Sequence, residues 1–318
     1  MPPTTSPASG VSGEMPPPNV VENCLGHVQL LSDGTVKRAQ APLVLPDDTP
    51  PVPCADAPAA VRWKDVVYDE TYDVLSLRVY VPSAAGAKKL PVLVYFHGGG
   101  FCIGSFAMLD FHAACLRLAA ELPAVVLSAD YRLAPEHRLP AALDEAESLF
   151  SWLRAQAAAS SAGAGADPWL ADSADFGRVF VSGDSAGANI AHHVAVRVGL
   201  GSLAADPAII AGCILLWPYF GGERRTASEA SCPADMWRLA LPAGATRDHP
   251  LANPFGPGSP ALDSVALPPV LVAAGDSDML LAVFAGQGHG FSLFEAAGEL
   301  LRVVLRRFVH GGAAAPAS

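Results

Sequence analysis

Short, nearly unbroken apolar runs recur along this 318-residue chain, most of them followed by a stretch with helical spacing. They are Leu90-Pro-Val-Leu-Val-Tyr-Phe96, Ala124-Val-Val-Leu-Ser128, Arg178-Val-Phe-Val-Ser182, Ile209–Leu216 and Pro269–Ala274. A run without polar alternation offers no face to water, so each reads as a strand covered on both sides. The intervening helical stretches are Leu109–Glu121, Ala141–Ala157 and the segment from Ser182 to about Val198, with Phe294–Val309 as an amphipathic close. Leu143, Ala146, Leu149, Phe150 and Leu153 share one helical face, and acids at the start of that segment suit the helix dipole. Strands alternating with helices mean βαβ units, hence an α/β chain with a mostly parallel central sheet and helices on both faces.

Upstream, Val61–Val67 and Val74–Val81 alternate apolar and polar residues about an acidic turn at Asp69–Asp73, which predicts an antiparallel hairpin at a sheet edge. Residues 1–18, rich in Pro, Ser and Thr, read as a disordered lead-in, and 19–318 as one domain. Asn19–Pro58 is expected to be irregular, with one or two helical turns. Ser160–Asp167 reads as a surface loop. Cap elements are expected from about 19–58 and 220–266.

Half the residues are hydrophobic (51%), enough for a sheet buried on both faces, although much of the excess is alanine. A net charge of -11 argues against nucleic acid or an anionic membrane surface as partner. The longest apolar run, Ala208–Trp217, is too short to span a bilayer, and the first eighteen residues have neither the basic nor the apolar part of a signal peptide. These readings predict a soluble cytoplasmic protein, with the nucleus also open to it. The six cysteines show no CxxC pair and no regular spacing; Cys213, in an apolar run, is expected to behave as a small hydrophobe.

Chemistry concentrates in two glycine clusters. Gly183-Asp184-Ser185-Ala186-Gly187 fits G-x-S-x-G between a strand and a helix. Small neighbours allow the tight turn that lifts the Ser185 hydroxyl above the sheet, and the turn aims the Ala186 N–H where an oxyanion would form. By itself the match is no better than a Gly/Ser helix cap. Its partner is His97-Gly98-Gly99-Gly100-Phe101, directly after Leu90–Phe96. Three glycines expose backbone amides to a bound carbonyl oxygen, the second half of an oxyanion hole, worth about 3–4 kcal/mol per donor. A phosphate cradle would need a following Lys-Ser/Thr, which is missing.

A serine nucleophile needs a base, and the base an orienting acid, in the chain order Ser, Asp or Glu, His. His192 and His193 lie on the helix leaving the serine and point away from its mouth; His310 follows the last helix and reads as exposed; His249, before Pro250, reads as structural, with a pocket role also open to it. His289, in Gly288-His289-Gly290-Phe291, has the flexible flanks of a loop-mounted base. The acid should follow Pro269–Ala274, which offers Asp276 and Asp278.

Together these residues resemble the hormone-sensitive-lipase-like branch of the α/β hydrolases, specifically the plant carboxylesterases and their gibberellin-receptor relatives. The resemblance runs from about residue 20 and includes His97–Phe101, Asp130-Tyr-Arg-Leu-Ala-Pro-Glu136, Gly183–Asn189, Trp217-Pro-Tyr-Phe-Gly-Gly222, Asp248–Pro257, Leu267–Leu280 and His289–Phe291. It implies a carboxylic ester hydrolase with Ser185 as nucleophile and His289 as base. Within Gly275-Asp-Ser-Asp278-Met-Leu280 it selects Asp278 as the acid. It implies Gly99, Gly100 and Ala186 amides as oxyanion donors, with Gly98 shaping the turn. Asp130–Glu136 is expected to tie a loop through ion pairs. Phe101, Asp184, Trp217, Tyr219 and Phe220 are candidates for the substrate pocket, small-molecule esters are the expected partners, and no metal or organic cofactor is required.

In one respect the chain departs from that family. Asp278 and His289 are 11 residues apart, where the family places a helix and a further strand. A parallel crossover takes a dozen or more residues, so this connection is shortened. As a loop it reaches easily, since a chain spans up to ~3.5 Å per residue. As a hairpin strand it would carry His289 roughly 17–20 Å to the wrong end of the sheet. The alternative reading is therefore a non-catalytic small-molecule binder on the same scaffold, against which retention of both Ser185 and His289 argues.

Overall fold

In the computed structural model, which describes residues 17–24, 26–39, 61–71, 74–83, 88–225, 236–274 and 296–310, seven strands form the central sheet. They are β4 (Val61–Asp69), β5 (Leu75–Pro82), β6 (Leu90–Phe96), β7 (Val125–Ala129), β8 (Ala174–Asp184), β9 (Ile210–Leu216) and β10 (Val270–Ala273), in the order β10-β9-β8-β6-β7-β5-β4. All pairs from β10 to β7 are parallel. The predicted hairpin β4–β5 joins antiparallel at the edge beside β7. Every residue of β7, and all but the first of β6, is buried, as unbroken apolar runs require.

The two faces carry separate cores. One packs α1 (Leu109–Glu121) and the C-terminal helix α6 (Ala296–His310) through Ala114, Leu118, Leu305 and Val309. The other packs α2 (Ala141–Ala162) and α4 (Ala186–Gly199) through Leu143, Leu149, Leu153, Ile190 and Val194. The short α3 (Pro168–Ser173) leads into β8. Its start is fixed by Asp167, whose carboxylate accepts the Trp169 N–H.

Two expectations need correction. Residues 19–58 were expected to be irregular, with one or two helical turns. Their described part instead forms a three-stranded antiparallel sheet of β1 (Val20–Cys24), β2 (Val28–Leu31) and β3 (Val36–Arg38). The turns turn on Gly26 (φ 77°) and Gly34 (φ 86°), the latter in the Asp33-Gly34 pair that favours hairpins. The strands are too short to show a clear period. The loop expected from Ser160 begins only at Gly163, because the alanine-rich run has no helix breaker before it; Gly163 ends α2 in the left-handed conformation at φ 75°.

Between β9 and β10 the described segment carries a one-turn helix α5 (Trp237–Ala240) and a 3-10 turn (Leu262–Ser264), where the cap was expected. Residues 1–16 of the expected lead-in and the whole connection from 275 to 295 lie outside the described residues. Cys102, Cys115 and Cys213 are buried free thiols. Burial pushes the Cys213 thiol up to about 12, as expected of a cysteine used as a hydrophobe.

Candidate active site

Strands β6 and β8 are neighbours, and Phe96 stands opposite Gly183 in their register. The two glycine clusters, each leaving the C-terminal end of its strand, therefore emerge side by side, where open α/β sheets bind ligands.

Ser185 sits at the β8–α4 junction with φ 52° and ψ -114°, a conformation that non-glycine residues rarely adopt. The flanking glycines make this turn possible. A Cβ at Gly183 would stand 2.3 Å from the Gly187 carbonyl carbon, and one at Gly187 would stand 1.9 Å from the Phe96 carbonyl oxygen. The Ser185 amide donates to the Leu216 carbonyl (3.0 Å), and its carbonyl accepts from the amides of Asn189 (3.2 Å) and Tyr219 (3.0 Å). Asn189, fully buried, gives its side-chain NH2 to the carbonyls of Tyr219 and Leu251, both at 3.1 Å. The serine backbone is thus tied to β9, to α4 and to the loop after β9. Ala186 opens α4, so no carbonyl lies one turn earlier to accept its amide.

His97 begins the other cluster and is completely buried. Its ring stacks on Tyr131 (centroids 4.3 Å, 14° between planes), its Nδ1–H donates to the Gly98 carbonyl at 2.7 Å, and its carbonyl accepts the Tyr131 hydroxyl at 2.8 Å. Gly99 and Gly100 take φ of 112° and 59°. Side chains there would strike the Ile103 carbonyl and the Met236 sulfur, each at 1.9 Å. Their amides have no acceptor among the described residues. Gly98 rests on Asp184: a Cβ would stand 2.3 Å from Asp184 Oδ2, while Oδ1 accepts the Tyr95 hydroxyl at 2.6 Å. The Asp184 carboxylate, expected in the pocket, thus supports the glycine turn from beneath.

The aromatic candidates separate. Trp217 packs in the core of the α1–α6 face. Phe101 is only 1% exposed and lies against Trp237, with centroids 5.5 Å apart. Tyr219, partly exposed, stacks flat on Trp237 (4.5 Å, 3°), and Phe220 meets the edge of His192 at 5.1 Å. Sequence reasoning missed Trp237 and its neighbour Met236, whose place over Gly100 is set by tertiary contacts alone.

Asp130–Glu136 does tie a loop, as expected. Asp130 accepts the Phe106 amide at 2.8 Å, and Arg132 pairs with buried Glu145. Arg38, at the end of β3, was not anticipated. It pairs with Glu136 and donates to the carbonyls of Cys102 (2.5 Å) and Ala134 (2.8 Å), joining the N-terminal sheet to the glycine turn.

Of the histidines set aside on sequence, His192 is buried, His193 and His249 are partly buried and His310 is exposed. Burial lowers His192 to about 4 and His193 to about 3. His249 accepts the Leu251 amide at 3.2 Å, and His310 meets the Leu122 carbonyl. Asp276, Asp278 and His289 lie outside the described residues.

Residues 93–285 match the profile of the alpha/beta hydrolase fold, and residues 45–135 that of the carboxylesterase family. Among curated relatives, Probable carboxylesterase 8 of Arabidopsis thaliana is 37% identical, over 78% of this chain and 74% of that protein. Probable carboxylesterase 6 of the same plant is 37% identical, over 82% and 76%. Tuliposide A-converting enzyme 1 of Tulipa gesneriana is 35% identical, over 78% and 69%; its name places it in the chloroplast, unlike the cytoplasm expected for this chain. Among solved structures, the Pyrobaculum calidifontis esterase superposes with a TM-score of 0.64 at 26% identity, covering 82% of this chain and 88% of that one. Esterase LipW of Mycobacterium marinum gives 0.63 at 28%, covering 81% and 83%. Among the described residues no helix is long and apolar enough to cross a membrane.

Proposed function

The chain belongs to the plant carboxylesterases of the hormone-sensitive-lipase-like α/β-hydrolase family, a family of ester hydrolases, and from that membership we propose that it cleaves small carboxylic esters through a covalent Ser185 intermediate. The observation that carries this reading is the strained Ser185 turn, held against the Gly98–Gly100 turn by the Phe96–Gly183 register.

In the first half-reaction His289 takes the Ser185 proton as Oγ attacks the ester carbonyl carbon. The amides of Gly99, Gly100 and Ala186 receive the negative charge that forms on the carbonyl oxygen. The tetrahedral species collapses, the C–O bond breaks, and the alcohol leaves with the proton from His289. Water then attacks the acyl-serine by the same path, releasing the acid and restoring Ser185. Asp278 holds the imidazole in the tautomer that can accept the serine proton and stabilises the imidazolium. Tyr219, partly exposed beside the serine turn, gives the site an apolar edge that suits uncharged acyl or alcohol groups.

Replacing Ser185 with Ala and assaying a short-chain aryl ester tests the assignment. Turnover should fall by about a thousandfold or more. Undiminished turnover refutes it.

The 11-residue Asp278–His289 connection favours a second reading, a binder that keeps the pocket but not the chemistry. A fluorophosphonate separates the two, because only an activated serine reacts with it. Labelling of Ser185 supports the hydrolase, and silence supports the binder.

A further inference from the structure

Gly100 has a neighbour from far along the chain. A Cβ built on it would stand 1.9 Å from Met236 Sδ and 3.0 Å from Met236 Cβ and Cγ, so the thioether fills the place that a side chain at position 100 would take. Met236 is only partly buried, and part of its surface stays accessible while the rest covers the glycine turn.

The backbone that carries this side chain is firmly held. Met236 directly precedes α5, and its carbonyl accepts the amides of Leu239 (3.0 Å) and Ala240 (2.9 Å). The far end of α5 is fastened to the start of α2. There the Leu139 amide donates to the Ala240 carbonyl at 2.8 Å, and the Arg138 guanidinium donates to the carbonyls of Arg238 (2.9 Å) and Leu241 (2.7 Å). Trp237, 1% exposed, meets Phe101 at 5.5 Å and stacks flat on Tyr219 at 4.5 Å. Phe101 follows Gly100, and the Tyr219 amide donates to the Ser185 carbonyl at 3.0 Å. Trp237 thus joins the oxyanion turn to the serine turn, with Met236 at the first and Tyr219 at the second. Between two anchored backbones stands an unbranched side chain with three rotatable bonds.

We propose that Met236 is a specificity-determining residue, whose thioether limits the length of the uncharged, unbranched chain that an ester can carry beside the oxyanion turn. The proposal rests on the hydrolase reading above. An ester whose carbonyl oxygen meets the Gly99 and Gly100 amides brings its carbonyl carbon, and the atoms bonded to it, next to this turn. A short substituent leaves the thioether seated on Gly100. A longer one has to displace it, and Gly100 has no side chain of its own to set the limit. The chain has two sources, the acid or the alcohol of the ester.

Phenyl esters from acetate to hexanoate vary the acid at a fixed alcohol, and n-alkyl acetates from ethyl to hexyl vary the alcohol at a fixed acid. Both series are followed by proton release with the full-length protein. Met236→Ala should raise kcat/KM for the longest member of a series, relative to the shortest, by about tenfold, and Met236→Phe should lower the same ratio by about as much. Met236→Leu, close in volume, should hold the ratio within about threefold. A shift confined to the phenyl esters assigns the chain to the acid, and one confined to the alkyl acetates assigns it to the alcohol; a shift in both means that either substituent reaches the thioether. Ratios unchanged in both the Ala and the Phe variant overturn the proposal. So does a loss of equal proportion for every ester, which is what a merely structural side chain would give. If the parent leaves every ester intact and a fluorophosphonate leaves Ser185 unlabelled, the hydrolase reading fails instead. Acetanilide and hexananilide, amides with the shape of the phenyl esters, are then titrated calorimetrically. Met236→Ala should shift the ratio of their dissociation constants about tenfold toward hexananilide, and an unchanged ratio overturns the proposal.

Discussion

A methyl group on Gly187 would stand 1.9 Å from the carbonyl oxygen of Phe96, so the serine turn and the last residue of β6 touch backbone to backbone. The obstacle is main chain on both sides and cannot swing away. Gly187→Ala should therefore force the turn off β6 rather than repack it. Overpacking a core costs about 1–3 kcal/mol where side chains can yield, and this site should reach the upper end or exceed it. Thermal unfolding should show a lower midpoint, and aryl-ester turnover should fall with it. A variant with the parent's midpoint and turnover would mean that the serine turn and β6 are not in this contact.

Ser185 itself is a source of strain. Its φ of 52° with ψ of -114° is open to glycine and disfavoured for any residue with a Cβ. Ser185→Gly should raise the unfolding free energy by about 1 kcal/mol while abolishing turnover, the opposite of what loss of an ordinary buried serine does. Urea unfolding of the two proteins checks this. A destabilised glycine variant would argue that the turn is relaxed.

How legible all this was depends on where the controlling contacts lie along the chain. Strands β6 to β10 could be read because each is a dense apolar run, and the serine turn because its glycines are adjacent to it. The N-terminal sheet could not: Val20 and Val21 are about half exposed, and three- to five-residue strands show no period. Arg38 was invisible because its partner Glu136 lies 98 residues away, and Trp237 because its importance comes from stacking on Tyr219. Asp184 carries a different lesson. Its place in G-x-S-x-G suggests the pocket, but only the neighbouring strand shows that Tyr95 draws its carboxylate under Gly98.

Arg38 should act as a positioning residue. It fastens the Cys102 and Ala134 carbonyls and Glu136 to β3, and Cys102 is bonded back to Gly99. Loosening that turn displaces oxyanion donors more than it alters the apolar border. Arg38→Ala should lower kcat by about tenfold with a smaller change in KM, and Arg38→Lys, which cannot fork to several acceptors, should restore little of it. Equal losses in kcat and stability, with full rescue by lysine, would reduce Arg38 to a surface ion pair.

The buried histidines make stability depend on pH in a defined direction. His112 is lowered to about 4 by burial and by Arg78, His192 to about 4 by burial, and His193 to about 3 by burial and by His192. In the unfolded chain the same rings take up protons near 6.5. Between that value and about 4 the unfolded state therefore binds more protons, and stability must fall as the pH is lowered through this window; above it these rings contribute no slope. Each ring is worth up to about 1.4 kcal/mol per pH unit, hence about 2 kcal/mol between pH 6.5 and 5. His192 offers the cleanest test, because burial is the one cause of its shift and its ring meets Phe220 and His193 by edge contacts. Comparing His192→Leu with the parent by urea unfolding at pH 7 and pH 5 cancels the carboxylates common to both. The variant should lose less stability on acidification by about 2 kcal/mol. The same loss in both proteins would mean that His192 already exchanges protons freely in the folded state.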